Sequence, residues 1–287
     1  MKRFAINVTI CLGSFAIGVA VASALTWLTE VPNPPRLNIA RVNPEPKPPP
    51  AVVTESSEPV REAVFAEGSL RIIPATVSLK NERLRYKVEV TYPQIVGSDA
   101  PHIRKLNQKI KRLVTKEYDG LENPTKADLR YYREKWPDVF NSVYIDYDIV
   151  LASDSFLSIY FNGSSYGIGA VHAVQFSLVV NYDLALQKEV GLSDIFKPRS
   201  DYMELFAQYC TKELLKNPEG MFGNALAPDS DLFKSWNITP AGIRFNFDAC
   251  SVFACAYGEK QVEIPFADLT HILAPPMDRL WSRVSPE

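Results

Sequence analysis

Apolar and polar positions along the chain follow three successive patterns. The first is a run without charge. Lys2 and Arg3 are followed by 26 uncharged residues, Phe4 to Thr29, and then by Glu30. A helix of roughly 20 such residues crosses the hydrocarbon core of a bilayer. The basic pair ahead of the run and the acid behind it predict an N-terminus inside and a C-terminus outside, with Trp27 at the outer interface. A cleaved signal segment is the alternative: Ala22-Ser23-Ala24 fits the small-x-small rule for cleavage before Leu25, and Gly13, Ser14, Gly18 and Ser23 dilute the run. Cys11 does not fit a lipid-attachment site, because the apolar run continues well beyond it. Either way the rest of the chain lies outside the cytoplasm.

The second pattern is a proline-rich stretch. Nine of the 22 prolines lie between Val31 and Pro59. Pro-Asn-Pro-Pro and Pro-Glu-Pro-Lys-Pro-Pro-Pro exclude helix and sheet and favour polyproline II. At ~3.1 Å per residue such a spacer reaches about 90 Å. A stiff spacer fits a chain fixed at one end, which favours the anchor; a linker with no length requirement is the plainer reading.

From Leu70 the apolar positions alternate. Leu84, Tyr86, Val88 and Val90 alternate with Arg85, Lys87, Glu89 and Thr91 as in a half-buried strand, which Pro93 is expected to end. Ser98-Asp99-Ala100-Pro101 reads as a helix start, followed at helical spacing by Ile103, Leu106, Ile110, Leu113 and Val114. Arg104, Lys105, Lys109, Lys111, Arg112 and Lys116 form the other face of that helix. Such a stripe is usually a solvated face, and anionic lipid or an acidic partner is the alternative. Val143, Ile145, Tyr147, Ile149 and Leu151 alternate again, with Asp146 and Asp148 opposite. Phe156 to Phe161 and Ala173 to Tyr182 are further strands, and Ser200 to Lys216 is a second amphipathic helix carrying Tyr202, Leu205, Phe206, Tyr209 and Leu214. Ile243, Phe245 and Phe247 alternate with Arg244, Asn246 and Asp248. Gln261 to Phe266 ends the series, before a short helix over Ala267 to Leu273. Strands in pairs with two main inserted helices predict an α+β fold with antiparallel sheets, behind an N-terminal transmembrane helix and a Pro-rich linker. The expected segments are 1–30 (anchor or signal), 31–68 (linker), 69–152 (N-terminal α+β subdomain) and 153–287 (C-terminal α+β subdomain), unless one sheet runs continuously through the last boundary.

Composition adds exclusions. At 46% apolar residues the chain is not disordered at large. Thirty-one basic residues against 33 acidic, net −2, show no basic excess, so no nucleic acid partner is expected.

Candidate chemistry is sparse. Gly163-Ser164-Ser165-Tyr166-Gly167 matches the G-x-S-x-G nucleophile elbow, which needs a long helix after the serine. Gly169 and an alternating apolar run follow instead, and His271, the base a triad would need, lies just before Pro275-Pro276. A hairpin turn is the plainer reading of the five residues. His102, His172 and His271 have no ligand partner at metal-binding spacing, so no metal site is expected. Asp146 and Asp148 share a strand face, as solvent-facing charges or as a pair holding a cation. There is no phosphate-binding glycine loop, and no cofactor is expected. Cys250 and Cys255 flank a short loop, and an oxidising compartment makes a disulfide between them reasonable. Closing so small a loop stabilises by only about 2 kcal/mol. Three reduced, buried cysteines, Cys210 among them, are the alternative.

A set of short motifs then occurs in order: Tyr92-Pro93-Gln94-Ile95, Leu106-Asn107-Gln108-Lys109-Ile110, Leu157-Ser158-Ile159 and Gly169-Ala170-Val171-His172. They are followed by Asn181-Tyr182-Asp183-Leu184, Leu192-Ser193-Asp194-Ile195-Phe196, Ile238 to Asp248, Tyr257-Gly258 and Val262 to Leu269. This order resembles the extracytoplasmic domains of RsiV-like proteins, catalogued as paired domains of unknown function and also found N-terminal to some peptidoglycan deacetylases. The resemblance covers roughly Ala75 to Leu273. It implies a non-enzymatic α+β binding module on the outer side of a bacterial cytoplasmic membrane, single-pass, with a periplasmic C-terminal domain. Its ligand would be a lysozyme-like protein or peptidoglycan. The turn carrying Tyr166, Gly169 and His172 is the binding candidate. Here the sequence is looser than the family's Gly-Gly-Ala-His, and Ala249-Cys250 and Cys255 replace the family's Pro-Tyr and later Tyr. Only Met1 to Arg3 precede the apolar run, so no sigma factor partner is expected, and no deacetylase domain follows. The alternatives are a cell-wall hydrolase using Ser165 and a structural envelope protein without a soluble ligand.

Overall fold

The computed structural model describes residues 60–65, 70–121, 123–228 and 231–274. The expected membrane segment, with Lys2, Arg3 and Trp27, and the proline-rich stretch to Pro59 lie outside the described residues. Among the described residues no helix is long and apolar enough to cross a membrane.

Seven strands form one sheet in chain order: β1 (Ala63–Val64), β2 (Arg71–Asn81), β3 (Tyr86–Val96), β4 (Asn141–Ala152), β5 (Phe156–Tyr166), β6 (Val174–Asp183) and β7 (Lys188–Glu189). All neighbours are antiparallel except β3 and β4, which run parallel. The connection between them carries α1 (Pro101–Thr115) and α2 (Lys126–Lys135). After β7 come α3 (Leu192–Ile195) and α4 (Tyr202–Leu214). A three-stranded antiparallel sheet follows, made of β8 (Trp236–Ile238), β9 (Gly242–Phe247) and β10 (Lys260–Pro265) with β9 in the centre, and then α5 (Phe266–Leu269). The fold is mixed α+β with mainly antiparallel sheets.

Local sequence accounts for most of these elements. Pro101 at the first turn of α1 costs no hydrogen bond, because that N–H has no helical partner anyway. Ile103, Leu106, Ile110 and Val114 bury one stripe of α1 against Val88, Val90, Ile145 and Ile159 of the large sheet. Each such side chain stabilises by roughly 2 kcal/mol relative to exposure. Pro93 does not end its strand. β3 continues to Val96, with Pro93 directly opposite Pro74 of β2. Two prolines facing each other fit a non-hydrogen-bonded pair, where neither strand loses a ladder bond. On its other side β3 pairs with β4 only as far as Val90, so Pro93 interrupts nothing there.

β5 is the strand covered on both faces, and Phe156 to Phe161 are all buried. Leu157, Ile159 and Phe161 face the core under α1. Phe156 belongs to a second core formed by α4 and the small sheet, with Phe206, Phe233, Phe245 and Phe247 at its centre. The rings of Phe206 and Phe245 lie 4.6 Å apart and those of Phe233 and Phe245 5.0 Å. The expected boundary at 152/153 falls in the tight turn closed by the Ser153 N–H bonded to the Phe156 carbonyl (2.9 Å), and the seven-stranded sheet runs on through it.

The opposite face of the small sheet is polar and buried. Asn237 Nδ2 donates to Ser158 Oγ (2.9 Å) and to the Ile159 carbonyl (3.0 Å). Ser158 Oγ donates to Asn181 Oδ1 (2.7 Å), and Asn181 Nδ2 donates to the Trp236 carbonyl (2.8 Å). Asn246 Nδ2 donates to Asn237 Oδ1 (3.0 Å). This seam joins the two sheets. It also means that Asn246, which alternates with the core of β9 in sequence, faces protein and not solvent.

Candidate functional site

The face of the large sheet away from α1 is polar and, toward the β5–β6 hairpin, open. Register decides what stands there. Tyr144 of β4 is opposite Ser164 of β5, which is opposite Gln175 of β6. Ser142 is opposite Tyr166, and Asp146 is opposite Asn162. Paired residues share a face, so Tyr144 and Tyr166 are diagonal neighbours on it, at a spacing of roughly 7–8 Å. Tyr144 is 49% exposed. Tyr166, Ser164 and Ser142 are half-buried and Gln175 is exposed. Partial burial, then the nearby Asp146 carboxylate, push the Tyr144 phenol above its ordinary range. Its hydroxyl donates to Asp146 Oδ2 at 3.4 Å. The site therefore offers two rings among short hydroxyl, amide and carboxylate groups, with the Tyr144 phenol held in its protonated form.

Deeper on the same face, Tyr160 is closed off by the small sheet. Its hydroxyl donates to Glu259 Oε2 (2.6 Å), and the Arg244 guanidinium lies 5.7 Å from its ring centre.

The residues expected from sequence divide as follows. Tyr166 is the last residue of β5 and lies on the tyrosine face. Gly163 to Tyr166 form strand, not the hairpin turn expected over Gly163 to Gly167. The turn comes one step later, where the Ala170 N–H bonds the Gly167 carbonyl (2.9 Å). Gly169 has φ +92° there, the conformation a type II turn requires at its third position. The Tyr131 hydroxyl of α2 lies 4.0 Å from where a Cβ on Gly169 would stand. The Ile168 N–H donates to Asn141 Oδ1 (2.8 Å). His172 is exposed, its Nδ1 2.9 Å from the Ala173 carbonyl oxygen. The hairpin carries all three binding candidates, with no side-chain bond among them in the described residues.

Ser165 points to the other face from Tyr166 and sits within the sheet, opposite Val143 and Val174. A strand follows it, not the helix of a nucleophile elbow, and among the described residues no hydrogen bond joins it to a histidine. Gly163 admits the Phe176 ring of β6, whose edge lies 2.3 Å from where a Cβ would stand.

Asp146 and Asp148 hold the incoming chain. Asp146 is ion-paired with Arg61, and Asp148 Oδ1 accepts the Val60 N–H (2.8 Å). The Tyr147 hydroxyl donates to the Arg61 carbonyl (2.6 Å) and the Ile149 N–H to the Val60 carbonyl (2.8 Å). Residues 60–64 thus run along β4 where β3 diverges from it. Among the described residues no group of three or more His, Cys, Asp or Glu is arranged to hold a metal. Cys250 and Cys255 are joined by a disulfide, and Cys210 is free and buried.

Sequence reasoning missed Tyr144. The signal was present: between Ser142 and Asp146 on the polar side of an alternating strand, an aromatic residue must be exposed.

The fold and this open sheet face define a compact α+β module with a polar, tyrosine-bearing surface. Two family models match it in succession. Residues 79–175 match one described as "Deacetylase PdaC", and residues 193–267 match one described as "Protein of unknown function (DUF3298)". The chain is 28% identical over 202 residues to the peptidoglycan-N-acetylmuramic acid deacetylase PdaC of Bacillus subtilis strain 168. That alignment takes in 68% of this chain and 41% of the relative, so the chain spans less than half of that enzyme's length. Among solved structures, a DUF3298 family member from Bacteroides fragilis NCTC 9343 superposes with TM-score 0.56 at 16% identity, covering 76% of this chain and 98% of that one. A DUF3298 family protein from Pseudomonas aeruginosa PAO1 gives TM-score 0.46 at 19% identity, covering 72% and 94%. The chain is thus similar in succession to two domain families, the first of them named for a deacetylase, and to part of one peptidoglycan deacetylase.

Proposed function

We propose that the chain is a non-catalytic cell-envelope module of RsiV-like type that binds the glycan of peptidoglycan on the face bearing Tyr144 and Tyr166. It is held at the bacterial cytoplasmic membrane by its N-terminal apolar segment, with the folded part in the periplasm. One observation carries the reading: two partly exposed rings stand diagonally on an open sheet face among Ser142, Ser164, Gln175 and Asp146. An aromatic ring offers a flat apolar surface with a polar tip, and the short polar groups around it supply directed hydrogen bonds, which suits a sugar ring with apolar faces and hydroxyl edges. The kinship with a peptidoglycan deacetylase supports the same ligand class, and the disulfide suits an oxidising compartment. No observation favours a lysozyme-like ligand over the glycan.

The test is co-sedimentation of the full chain with purified peptidoglycan sacculi, with soluble lysozyme as a second ligand. Tyr144→Ala and Tyr166→Ala each are expected to weaken retention by about tenfold, as loss of a stacking aromatic costs roughly 1.5 kcal/mol. Ser165→Ala is expected to leave it unchanged. Retention that ignores both tyrosines, or binding to lysozyme alone, contradicts the reading. Release of sugar fragments abolished by Ser165→Ala would support the hydrolase alternative.

A further inference from the structure

The last long strand of the large sheet has an unpaired edge. β6 pairs with β5 without a register shift from Val174 to Asp183, and β7 covers its other side only at Tyr182 and Asp183. Just beyond that cover, the Asn181 carbonyl accepts the Val190 N–H (3.0 Å), so it points away from β5. In a strand the N–H and C=O of one residue point the same way, and the direction alternates from residue to residue. Gln175, Ser177 and Val179 therefore also turn their backbone groups outward, and no backbone group among the described residues bonds to them there. Three outward positions at every second residue make a ladder about 13 Å long. Gln175 is exposed, and Ser177 and Val179 are half-buried. Natural edges are usually blunted by a charge, a proline or a bulge, and Val174 to Val180 has no charged residue, no proline and no shift in register. The edge also continues the tyrosine face. The side chain of Gln175 stands on that face, in the row of Tyr144 and Ser164, while its backbone belongs to the edge.

We propose that the β6 edge takes the peptide stem of peptidoglycan as an added strand while the glycan lies on the tyrosine face. This inference rests on the glycan reading of that face. An extended peptide gains main-chain hydrogen bonds from an open sheet edge, and the ladder here is as long as four or five extended residues. Strands lie about 4.8 Å apart, so a chain paired with β6 runs roughly 14 Å from β4, which carries Tyr144. A ligand made of glycan and attached peptide can therefore occupy face and edge together. A second copy pairing β6 with β6 would fill the same edge, but a single strand pair is marginal in water. The stem is covalently joined to the glycan. Once the glycan is held, the stem pairs as an intramolecular step, and a few main-chain bonds suffice.

The test is calorimetric titration of the full chain in neutral detergent with two ligands: soluble glycan strands bearing their peptide stems, and the same strands with the stems removed. The stem-bearing strands are expected to bind about tenfold more tightly, the effect of a few net main-chain hydrogen bonds. Ser177→Pro removes one outward N–H and no bond to β5, and is expected to bring the two ligands within about twofold of each other. Ser177→Ala loses the contact with the Ser235 hydroxyl (2.8 Å) but keeps the N–H, and is expected to retain the preference. Stripped strands are expected to bind the parent and both variants equally, which also shows that the proline variant folds. Val179→Pro, at the next outward position, is expected to act as Ser177→Pro does. Equal affinity of the two ligands for the unaltered chain overturns the proposal without recourse to any variant, and so does a preference that survives both prolines. A dimer of the unaltered chain that Ser177→Pro disperses also overturns it, in favour of a second copy. Loss of the stem preference with stripped-strand binding intact refutes the edge alone. Failure of the unaltered chain to bind stripped strands refutes the glycan reading, and the edge proposal with it.

Discussion

Cys210 shows how one buried residue makes the fold sensitive to pH. It lies on the inner side of α4, fully enclosed in the aromatic core. Burial, then the Glu213 carboxylate, push its thiol up to about 12 from an ordinary value of 9.0. The neutral thiol is the form that fits the core. Its contribution is therefore complete below pH ~9 and is lost as pH rises from about 9 to about 12, because the unfolded chain releases the proton first. Denaturant titrations over that range are expected to show a midpoint that falls with pH, and to fall less in Cys210→Ala; equal slopes in the two proteins would contradict the burial argument. At this residue scale the sequence was partly legible. The Cys250–Cys255 spacing and the presence of Tyr166 at the hairpin were readable directly. The partnership of Tyr166 with Tyr144 was not, because it depends on the register of β4 against β5, and register is set by pairing across the chain.

At the scale of elements, strong periodicity marked the structures that bury a face. α1 and α4 carry clear apolar stripes and lie where the spacing placed them. α2 buries no residue and has no such stripe, so periodicity could not reveal it. What specifies it is a capping box. Thr125 Oγ1 accepts the Asp128 N–H (3.1 Å), and Asp128 Oδ2 accepts from the Thr125 hydroxyl (2.6 Å) and from the Thr125 N–H (2.9 Å); the hydroxyl first, then the N–H, hold the Asp128 carboxyl below its ordinary range. Thr125→Ala is expected to speed amide exchange through the first turns of α2 while leaving the melting temperature of the domain unchanged. A lower melting temperature would mean that α2 supports the core, against its exposure. The two corrections to the strands have a common cause. Proline and glycine were read as breaks, yet Pro93 faces another proline, and Gly163 admits the Phe176 ring. In both cases the cross-strand partner, which local sequence does not reveal, decides.

The whole molecule depends on the contact between its two sheets, and that contact is polar where composition would suggest a greasy interface. Ser158, Asn181, Asn237 and Asn246 are linked to one another there by hydrogen bonds, Asn246 Oδ1 alone of their side-chain polar atoms being buried without a partner among the described residues, and Asn237 is completely buried at the centre. Asn237→Ala leaves Asn246 Nδ2 and Ser158 Oγ without that partner and is expected to destabilise by about 3 kcal/mol in denaturant unfolding. A loss below about 1 kcal/mol would mean that apolar packing alone joins the sheets. Alternation along β9 concealed this seam, since a polar residue facing another sheet and one facing water look alike in sequence.

The central claim is that the tyrosine face receives peptidoglycan. It is tested most directly by amide hydrogen exchange of the full chain with and without soluble peptidoglycan fragments. The account predicts added protection at Ser142 to Asp146 and from Ser164 through Gln175, abolished in Tyr144→Ala, with the exchange of α1 and α4 unchanged. Protection located elsewhere, or unaffected by Tyr144→Ala, would contradict it.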